Sequence, residues 1–294
     1  MSDRFTKLIE LMAALRAPNG CPWDRKQTHD SLKPYLLEEA YEVLETIDHR
    51  DAAKLREELG DVLLQVVFHS QIAAEAGTFT IDDVVDLLAA KLIRRHPHVF
   101  GSQHAADKPA NGEQVLSQWE EIKRAERQAA GGSQSALDGV PKTLPALLRA
   151  YQVQARAARV GFDWSHDATG LAAVFEKIAE EIGELQAALE EKDRTQSGAP
   201  PTDEVTAELG DLLFSLVNLS RFLKVNPEEA LRLSTNRFVE RFTLVESQAA
   251  EQQRALATMS PAELDALWDE AKRRLRRTNP PLPSPTTTKD AAHE

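Results

Sequence analysis

Apolar residues recur along this chain every three or four positions, which is the spacing of one face of an α-helix. We find no convincing run in which apolar and polar residues alternate as they do in a strand, so the sequence predicts an all-α fold. The predicted helices lie at about residues 3–16, 32–49, 51–76, 80–95 and 112–130 in the first half, and at about 143–160, 168–192, 203–224, 227–256 and 260–277 in the second. Three helix starts carry capping residues, namely Thr80, Asn226 and Ser260.

Turn-forming residues divide the helices into two groups. Gly, Ser and Pro cluster in AAGGSQSALDGVPKT at 129–143, and the C-terminal residues are rich in Pro and Thr. The first composition is typical of a linker and the second of a disordered segment. We therefore expect four segments: an N-terminal helical-bundle unit (1–130), a linker (131–142), a C-terminal helical-bundle unit (143–277) and a disordered tail (278–294).

The two halves repeat one order of chemically distinctive residues. Each has a Gly-x-x-Trp segment, a Glu-x-x-Glu pair, a Glu-x-x-Asp pair, two basic residues one turn apart, and a Trp. In the first half these are 20–23, Glu39 and Glu42, Glu58 and Asp61, Lys91 and Arg95, and Trp119; in the second they are 161–164, Glu181 and Glu184, Glu208 and Asp211, Arg237 and Arg241, and Trp268. A duplicated helical unit explains this order better than chance.

The acid pairs lie at the edge of apolar stripes. At 100° per residue, Glu181 and Glu184 are about 60° apart around their helix, and Ile182 and Leu185 occupy the adjoining side. The other three pairs have the same offset from their own apolar residues. If two such helices pack through their stripes, four carboxylates of each unit meet at one rim. A solvated helix face is the simpler interpretation of any single pair, whereas four equal offsets favour a cation site.

Clustered carboxylates repel one another unless a positive charge lies among them. Hard divalent cations such as Mg²⁺ prefer oxygen ligands and complete their shells with water and substrate phosphates. A di-iron bundle is the competing interpretation, but it carries Glu-x-x-His on facing helices, and the sequence has no such motif. The pattern therefore favours a redox-inactive cation.

Several basic and aromatic residues have two interpretations each. Lys177 either reaches a phosphate held at the acids or forms an ordinary pair with Glu181, four residues on. Arg237 and Arg241 either clamp phosphate oxygens or are solvated. Trp268 either stacks on a base or belongs to the core.

The formal net charge of −12 disfavours a nucleic-acid polymer as a partner, because such binding depends on a basic surface. An acidic protein can still bind a polyphosphate through a bridging cation. Cys21 is the single cysteine, which excludes intramolecular disulfides and is typical of a reducing compartment. No apolar run has the length of a membrane span, and the N-terminal residues lack a secretory pattern. We expect a cytoplasmic protein without membrane association.

These motifs, taken as a set, resemble those of the MazG-type nucleoside triphosphate pyrophosphohydrolases of the all-α NTP pyrophosphatase superfamily. The first unit contributes GCPWD (20–24), LLEEAYE (36–42), EELGD (57–61) and RRHPHVFG (94–101). The second unit contributes SALDGVPKTLPAL (135–147), ARVGFDW (158–164), EEIGEL (180–185), ELGDLLF (208–214) and NRFVERF (236–242).

The resemblance implies hydrolysis of nucleoside triphosphates such as ATP to the monophosphate and pyrophosphate in a homodimer. It implies Mg²⁺, with Mn²⁺ as a possible substitute. The implied metal ligands, which are also catalytic, are Glu181, Glu184, Glu208 and Asp211. Lys177, Arg237 and Arg241 would contact the triphosphate, Lys177 also serving catalysis, and Trp268 would lie near the nucleotide. The general base would be Glu180 or Glu184.

The resemblance also assigns catalysis mainly to the C-terminal unit. A possible second metal site consists of Glu39, Glu42, Glu58 and Asp61. In that unit Tyr35 replaces the lysine, and Ala90 stands where the second unit has Asn236. Arg237 departs from the family in the active unit, where a lysine is expected. The alternative function is a non-catalytic, nucleotide-sensing or scaffolding helical protein with structural cation sites.

Overall fold

The computed structural model of the chain describes residues 3–101, 109–129, 135–196 and 200–278. These residues form α-helices and two short 3-10 helices, Asp24–Lys26 and Leu256–Thr258, and contain no strand, which confirms the predicted all-α fold. The α-helices are α1 (Asp3–Arg16), α2 (Lys33–His49), α3 (Ala52–Glu75), α4 (Ile81–Arg95), α5 (Pro97–Phe100), α6 (Gly112–Ala129), α7 (Ala146–Arg159), α8 (Ala168–Gln196), α9 (Asp203–Phe222), α10 (Pro227–Glu251) and α11 (Pro261–Thr278).

The predicted caps start their helices. Thr80 and Asp83 form a reciprocal capping box at α4, in which each side chain bonds the other residue's backbone N–H. The Asn226 side chain accepts from the amides of Glu228 and Glu229 at 3.1 and 3.3 Å. The Ser260 hydroxyl accepts from the Glu263 amide at 3.4 Å. These bonds satisfy amides that lack partners within the helix.

The helix predicted from 143 begins at Ala146, the helix predicted to end at 192 continues to Gln196, and two further departures concern α5 and α10. The short helix α5, which begins with Pro97, has no counterpart among the predicted helices. The helix predicted over 227–256 ends at Glu251, because Gln253 adopts a left-handed φ of 55° and the Arg254 amide bonds back to the Ala249 carbonyl. This is a Schellman-type ending, which usually has glycine at the left-handed position. With Gln there, the sequence did not indicate the stop.

The chain divides into two compact units, Met1–Gly132 and Ser133–Glu294. In the first, α2 and α1 pack against α3, and Met12, Leu32, Val67 and Phe68 form the core. In the second, α8 packs against α9, α7 against α9 and α10, and α10 against α11. Its core cluster consists of Val245, Ala249, Met259, Leu267 and Ala271. The predicted linker lies partly, and the predicted tail after Thr278 wholly, outside the described residues.

A tight connection joins the two acid-bearing helices of the first unit. Arg50 ends α2 in the left-handed conformation, and the Asp51 side chain caps α3 by accepting from the amides of Ala53 and Lys54, both at 3.0 Å. Because only two residues separate α2 from α3, the helices run antiparallel and their acids meet along one seam. None of the described helices combines the length and apolarity that a bilayer span needs.

An ion pair holds α1 to the end of α3. The Arg16 guanidinium donates to the Glu75 carboxylate at 2.7 and 2.9 Å and also to the Asp24 and Gln27 carbonyls, and it lies 5.4 Å from the centre of the Phe68 ring. The Arg16 side chain is 7% exposed. Hydrogen bonds from Arg16 lower the pKa of Glu75. The pair therefore fixes the 24–27 segment as well as the two helices.

We expect Arg16→Ala to lower the free energy of unfolding of the first unit by about 2 kcal/mol, because it leaves two carbonyls and a carboxylate without their donor. Denaturant titration followed by circular dichroism measures the change. Lys33→Ala is the matched control: the Lys33 and Asp30 side chains of this pair are 71% and 85% exposed, so we expect no measurable loss of stability.

The same pair predicts a pH dependence. Since the folded-state pKa of Glu75 is lowered, its stabilisation is present above the unfolded pKa of about 4.3 and is lost as the pH falls through the folded value. Arg16→Ala should flatten that part of the stability profile. A variant profile parallel to the wild-type one would show that the pair does not contribute.

Candidate metal and nucleotide site

The structure brings three carboxylates together in each unit. In the second unit they are Glu181 and Glu184 on α8 and Glu208 on α9, with one oxygen from each within 4.8 Å of the others. In the first unit Glu39 on α2 and Glu58 and Asp61 on α3 meet the same criterion. Each group spans two packed helices, so its geometry depends on the helix seam and not on one helix face. We call them the second-unit and first-unit acid groups.

One member of each predicted set of four lies outside its acid group. In the second unit it is Asp211, whose side chain is exposed one turn after Glu208. In the first unit it is Glu42, which interacts with the Glu39 carboxylate. The units therefore use different subsets of the repeated motif. Four ligands per site remain a prediction.

One carboxylate of each acid group has a raised pKa. Desolvation and the neighbouring Glu181 and Glu208 carboxylates raise the pKa of Glu184, and Lys177 opposes them. In the first unit, burial together with Asp61 and Glu42 raises the pKa of Glu39. Neighbouring like charges have this effect when too little positive charge lies among them. A divalent cation with oxygen ligands would supply that charge.

Lys177 lies against the second-unit acid group. Its ammonium is 2.7 Å from Glu181 and 3.0 Å from Glu180, and the hydrogen bonds that it donates to both carboxylates raise the pKa of Lys177. Glu181 is only 4% exposed, so the ammonium compensates a largely desolvated charge. In this structure the ordinary i,i+4 pair therefore forms.

The first unit has a corresponding lysine that the sequence comparison missed. Tyr35 occupies the place of Lys177 and packs edge-on against Trp23. The Lys54 ammonium on α3 instead lies 3.6 Å from Glu58, which is 5% exposed. The repeat places Glu204 where the first unit has Lys54. Each unit thus has an ammonium beside its most buried glutamate, but the lysine lies on the second acid-bearing helix, α3, in the first unit and on the first, α8, in the second unit. The four-residue spacing of Lys54 and Glu58 was the sequence signal that could have predicted this pair.

The predicted phosphate-binding arginines differ between the units. Glu126 accepts from Arg95 and Arg94, each at 2.6 Å, and these hydrogen bonds lower the pKa of Glu126 to about 2. Among the described residues, no carboxylate lies within ion-pair distance of Arg237 or Arg241. The repeat places Leu275 where the first unit has Glu126. Arg95, the first-unit counterpart of Arg241, is therefore paired with a carboxylate, while neither Arg237 nor Arg241 has such a partner among the described residues.

Trp268 lies beside a concave pocket between α10 and α11. The Arg241 guanidinium is 5.9 Å from the centre of the Trp268 ring, and the Phe238 ring is 5.3 Å from it. The pocket has a volume of about 560 Å³, and its walls include Phe238, Phe242, Trp268 and Asp265. Trp268 is half-buried, so it contributes both to packing and to the pocket surface.

The MazG nucleotide pyrophosphohydrolase domain matches the chain twice, over residues 27–100 and 170–244. The nucleoside triphosphate pyrophosphohydrolase/pyrophosphatase MazG of Thermotoga maritima is 48% identical over 269 residues, which cover 91% of this chain and 95% of that protein. The nucleoside triphosphate pyrophosphohydrolase of Escherichia coli K12 is 41% identical over 272 residues, covering 92% and 98%. The uncharacterized protein YabN of Bacillus subtilis is 46% identical over 274 residues, covering 93% of this chain and 53% of its own length.

Each of the two domain matches contains one complete acid group, and the second also contains Arg237 and Arg241. The similarity to three relatives extends over more than nine-tenths of this chain. These findings confirm the resemblance that the motifs indicated. The chain belongs to the MazG nucleotide pyrophosphohydrolase domain family and carries that domain twice.

Proposed function

We propose that the protein hydrolyses nucleoside triphosphates to the monophosphate and pyrophosphate, by attack of water on the α-phosphorus, mainly in the second unit. The observation that supports this most directly is that one unit combines the Glu181, Glu184 and Glu208 carboxylates with two arginines that pair with no carboxylate among the described residues. Family membership and the printed names of the Thermotoga and Escherichia relatives support the reaction class.

The second-unit acid group fits Mg²⁺. It offers three carboxylate oxygens within 4.8 Å of one another and no nitrogen or sulfur donor, which suits a hard cation, and Mn²⁺ accepts the same donors. We propose Glu181, Glu184 and Glu208 as ligands and Asp211 as a fourth. The bound ion would neutralise triphosphate charge and polarise a phosphoryl oxygen.

The chain's own side chains then position the substrate. Lys177 would exchange a carboxylate partner for a phosphate oxygen, which is a short movement for a flexible ammonium. Arg237 and Arg241 would hold the triphosphate through charge-assisted hydrogen bonds. Glu180 lies outside the acid group and within 3.0 Å of Lys177, so we assign it as the base that accepts the proton of the attacking water.

In the first unit Arg95, the counterpart of Arg241, already has a carboxylate partner. Glu126 already accepts from Arg94 and Arg95, and Tyr35 replaces the lysine of α8. Its acid group is complete, however, and Lys54 stands beside Glu58. We propose that the first unit retains a cation site with a structural role and contributes little turnover.

We expect Glu208→Gln to reduce turnover by about a hundredfold or more, because it removes a ligand charge while keeping the shape of the side chain. The matched variant Glu58→Gln, at the corresponding place in the first unit, should retain most of the activity. Incubation of the wild type and both variants with ATP and Mg²⁺, with chromatographic separation of the products, measures this.

Two results would contradict the proposal in different ways. Release of nucleoside diphosphate and phosphate would show attack at the wrong phosphorus. Equal losses in Glu208→Gln and Glu58→Gln would remove the assignment of catalysis to the second unit. Tight nucleotide binding measured by calorimetry, without any hydrolysis, would support the nucleotide-sensing or scaffolding alternative.

We also infer that the protein is a homodimer, because the acid-bearing helices leave apolar stripes uncovered within their own units. On α9 the stripe is Leu209, Leu213 and Leu216, between 42% and 47% exposed. The corresponding residues of α3, which are Leu59, Leu63 and Val66, are also exposed. A Cβ added to Gly210 on α9 would meet nothing within 4 Å, so another helix has room to approach closely. The repeated stripe fits a second copy of this chain.

Leu213→Glu should convert the dimer into a monomer by placing a charge in the dimer contact. Light scattering during size-exclusion chromatography, at micromolar concentration, measures the mass. Leu231→Glu, which changes a leucine 56% exposed on α10 outside the stripe, is the control and should leave the dimer intact. A wild-type protein with the mass of one chain would disprove the dimer.

A further inference from the structure

The pocket between α10 and α11 has one charged wall residue among apolar ones. Phe238, Phe242 and Trp268 provide ring faces, aliphatic side chains fill the remaining wall, and Asp265 is the single ionisable lining residue among those described. Asp265 is exposed, and no described side chain forms an ion pair or hydrogen bond with it. Pockets of this composition bind flat apolar groups and use their few polar groups for selection.

The neighbouring cation indicates which flat group fits. The Arg241 guanidinium lies over the Trp268 ring, 5.9 Å from its centre, so a ligand between the aromatic side chains has a phosphate-binding group beside it. A nucleobase carries its phosphates on one side and its hydrogen-bonding edge on the other. The second-unit acid group, Arg237 and Arg241 belong to the same unit as the pocket.

A carboxylate in such a pocket distinguishes ligands that donate a hydrogen bond to it from ligands that can only accept one. When ionised it only accepts hydrogen bonds. Adenine, cytosine and guanine each present an exocyclic amino group, whereas the corresponding position of uracil is a carbonyl oxygen. Two acceptors that face each other repel, and a base without the amino group leaves the carboxylate unpaired.

Resting on the function proposed above, we infer that Asp265 selects nucleotides by accepting a hydrogen bond from the exocyclic amino group of the base. The preferred substrates are then amino-bearing triphosphates, and otherwise similar triphosphates that lack this amino group react more slowly. Guanine fits especially well, because its amino group and adjacent ring N–H offer two donors to one carboxylate. Asp265 is thus a specificity residue and takes no part in the attack on phosphorus.

The test uses substrate pairs that differ at the amino group. GTP and ITP share every other atom, and CTP and UTP are pyrimidines of equal size. We expect the wild type to favour the amino-bearing member of each pair by about tenfold in kcat/KM, as one hydrogen bond to a charged group provides. In Asp265→Ala both ratios should fall towards one. Asp265→Asn, whose amide also donates, should raise the relative rate with UTP, because uracil has a carbonyl oxygen in place of the amino group of cytosine.

Asp269→Ala is the matched control, because Asp269 lies one turn further along α11, pairs with Lys272 and does not line the pocket. Its ratios should equal those of the wild type. Equal rates with GTP and ITP in the wild type, with monophosphate and pyrophosphate as products, would overturn this inference and leave the proposed function intact. Unchanged ratios in Asp265→Ala would overturn it too.

Absence of pyrophosphate from every nucleotide would instead refute the proposed function. Calorimetric titration of the same proteins with GTP and with ITP, in the presence of Mg²⁺, then tests the inference separately. Tighter binding of GTP that is lost in Asp265→Ala supports it, and equal affinities overturn it.

Discussion

A nearly buried glutamate at a helix seam is the constraint on which the rest of this structure depends. Glu181 and Glu58 are 4% and 5% exposed. Removing an ionised carboxylate from water is costly unless a partner compensates it. Each unit meets this cost with one lysine four residues earlier on the same helix, Lys177 or Lys54. One further acid of each group, Glu184 or Glu39, has a raised pKa, so the seam has capacity for further positive charge.

Duplication preserved this seam while the surrounding charges diverged. In the first unit Glu126 forms ion pairs with two arginines, whereas the second unit has Leu275 at the corresponding position. The presence or absence of this glutamate therefore distinguishes the surroundings of Arg95 from those of Arg241. This difference in ion pairing is consistent with our proposal that the second unit carries most of the catalytic activity.

The apolar stripes show a second consequence of building a site on paired helices. Helical phase places the acids at the rim of the stripe, and we expected the stripe itself to form the seam. Leu209 and Leu216 are nevertheless largely exposed, as are Leu59 and Val66. Two packed helices cover only part of each other's apolar faces, because the strip of surface along which two cylinders touch is narrower than the apolar face of each helix. The second copy of the chain that we propose would cover these exposed stripes.

The sequence by itself determined what depends on local periodicity: the all-α fold, the caps at Thr80, Asn226 and Ser260, the repeated acid pairs and the position of each pair on its helix. The family resemblance added the reaction class. Which carboxylates meet was decided only by the tertiary structure, which excluded Asp211 from one acid group and Glu42 from the other. Only the tertiary structure showed that Lys54 pairs with Glu58 in the first unit and that Glu126 pairs with Arg94 and Arg95. The physical reason is that phase around one helix follows from 3.6 residues per turn, whereas contacts between helices depend on their axial register and on residues distant in the chain.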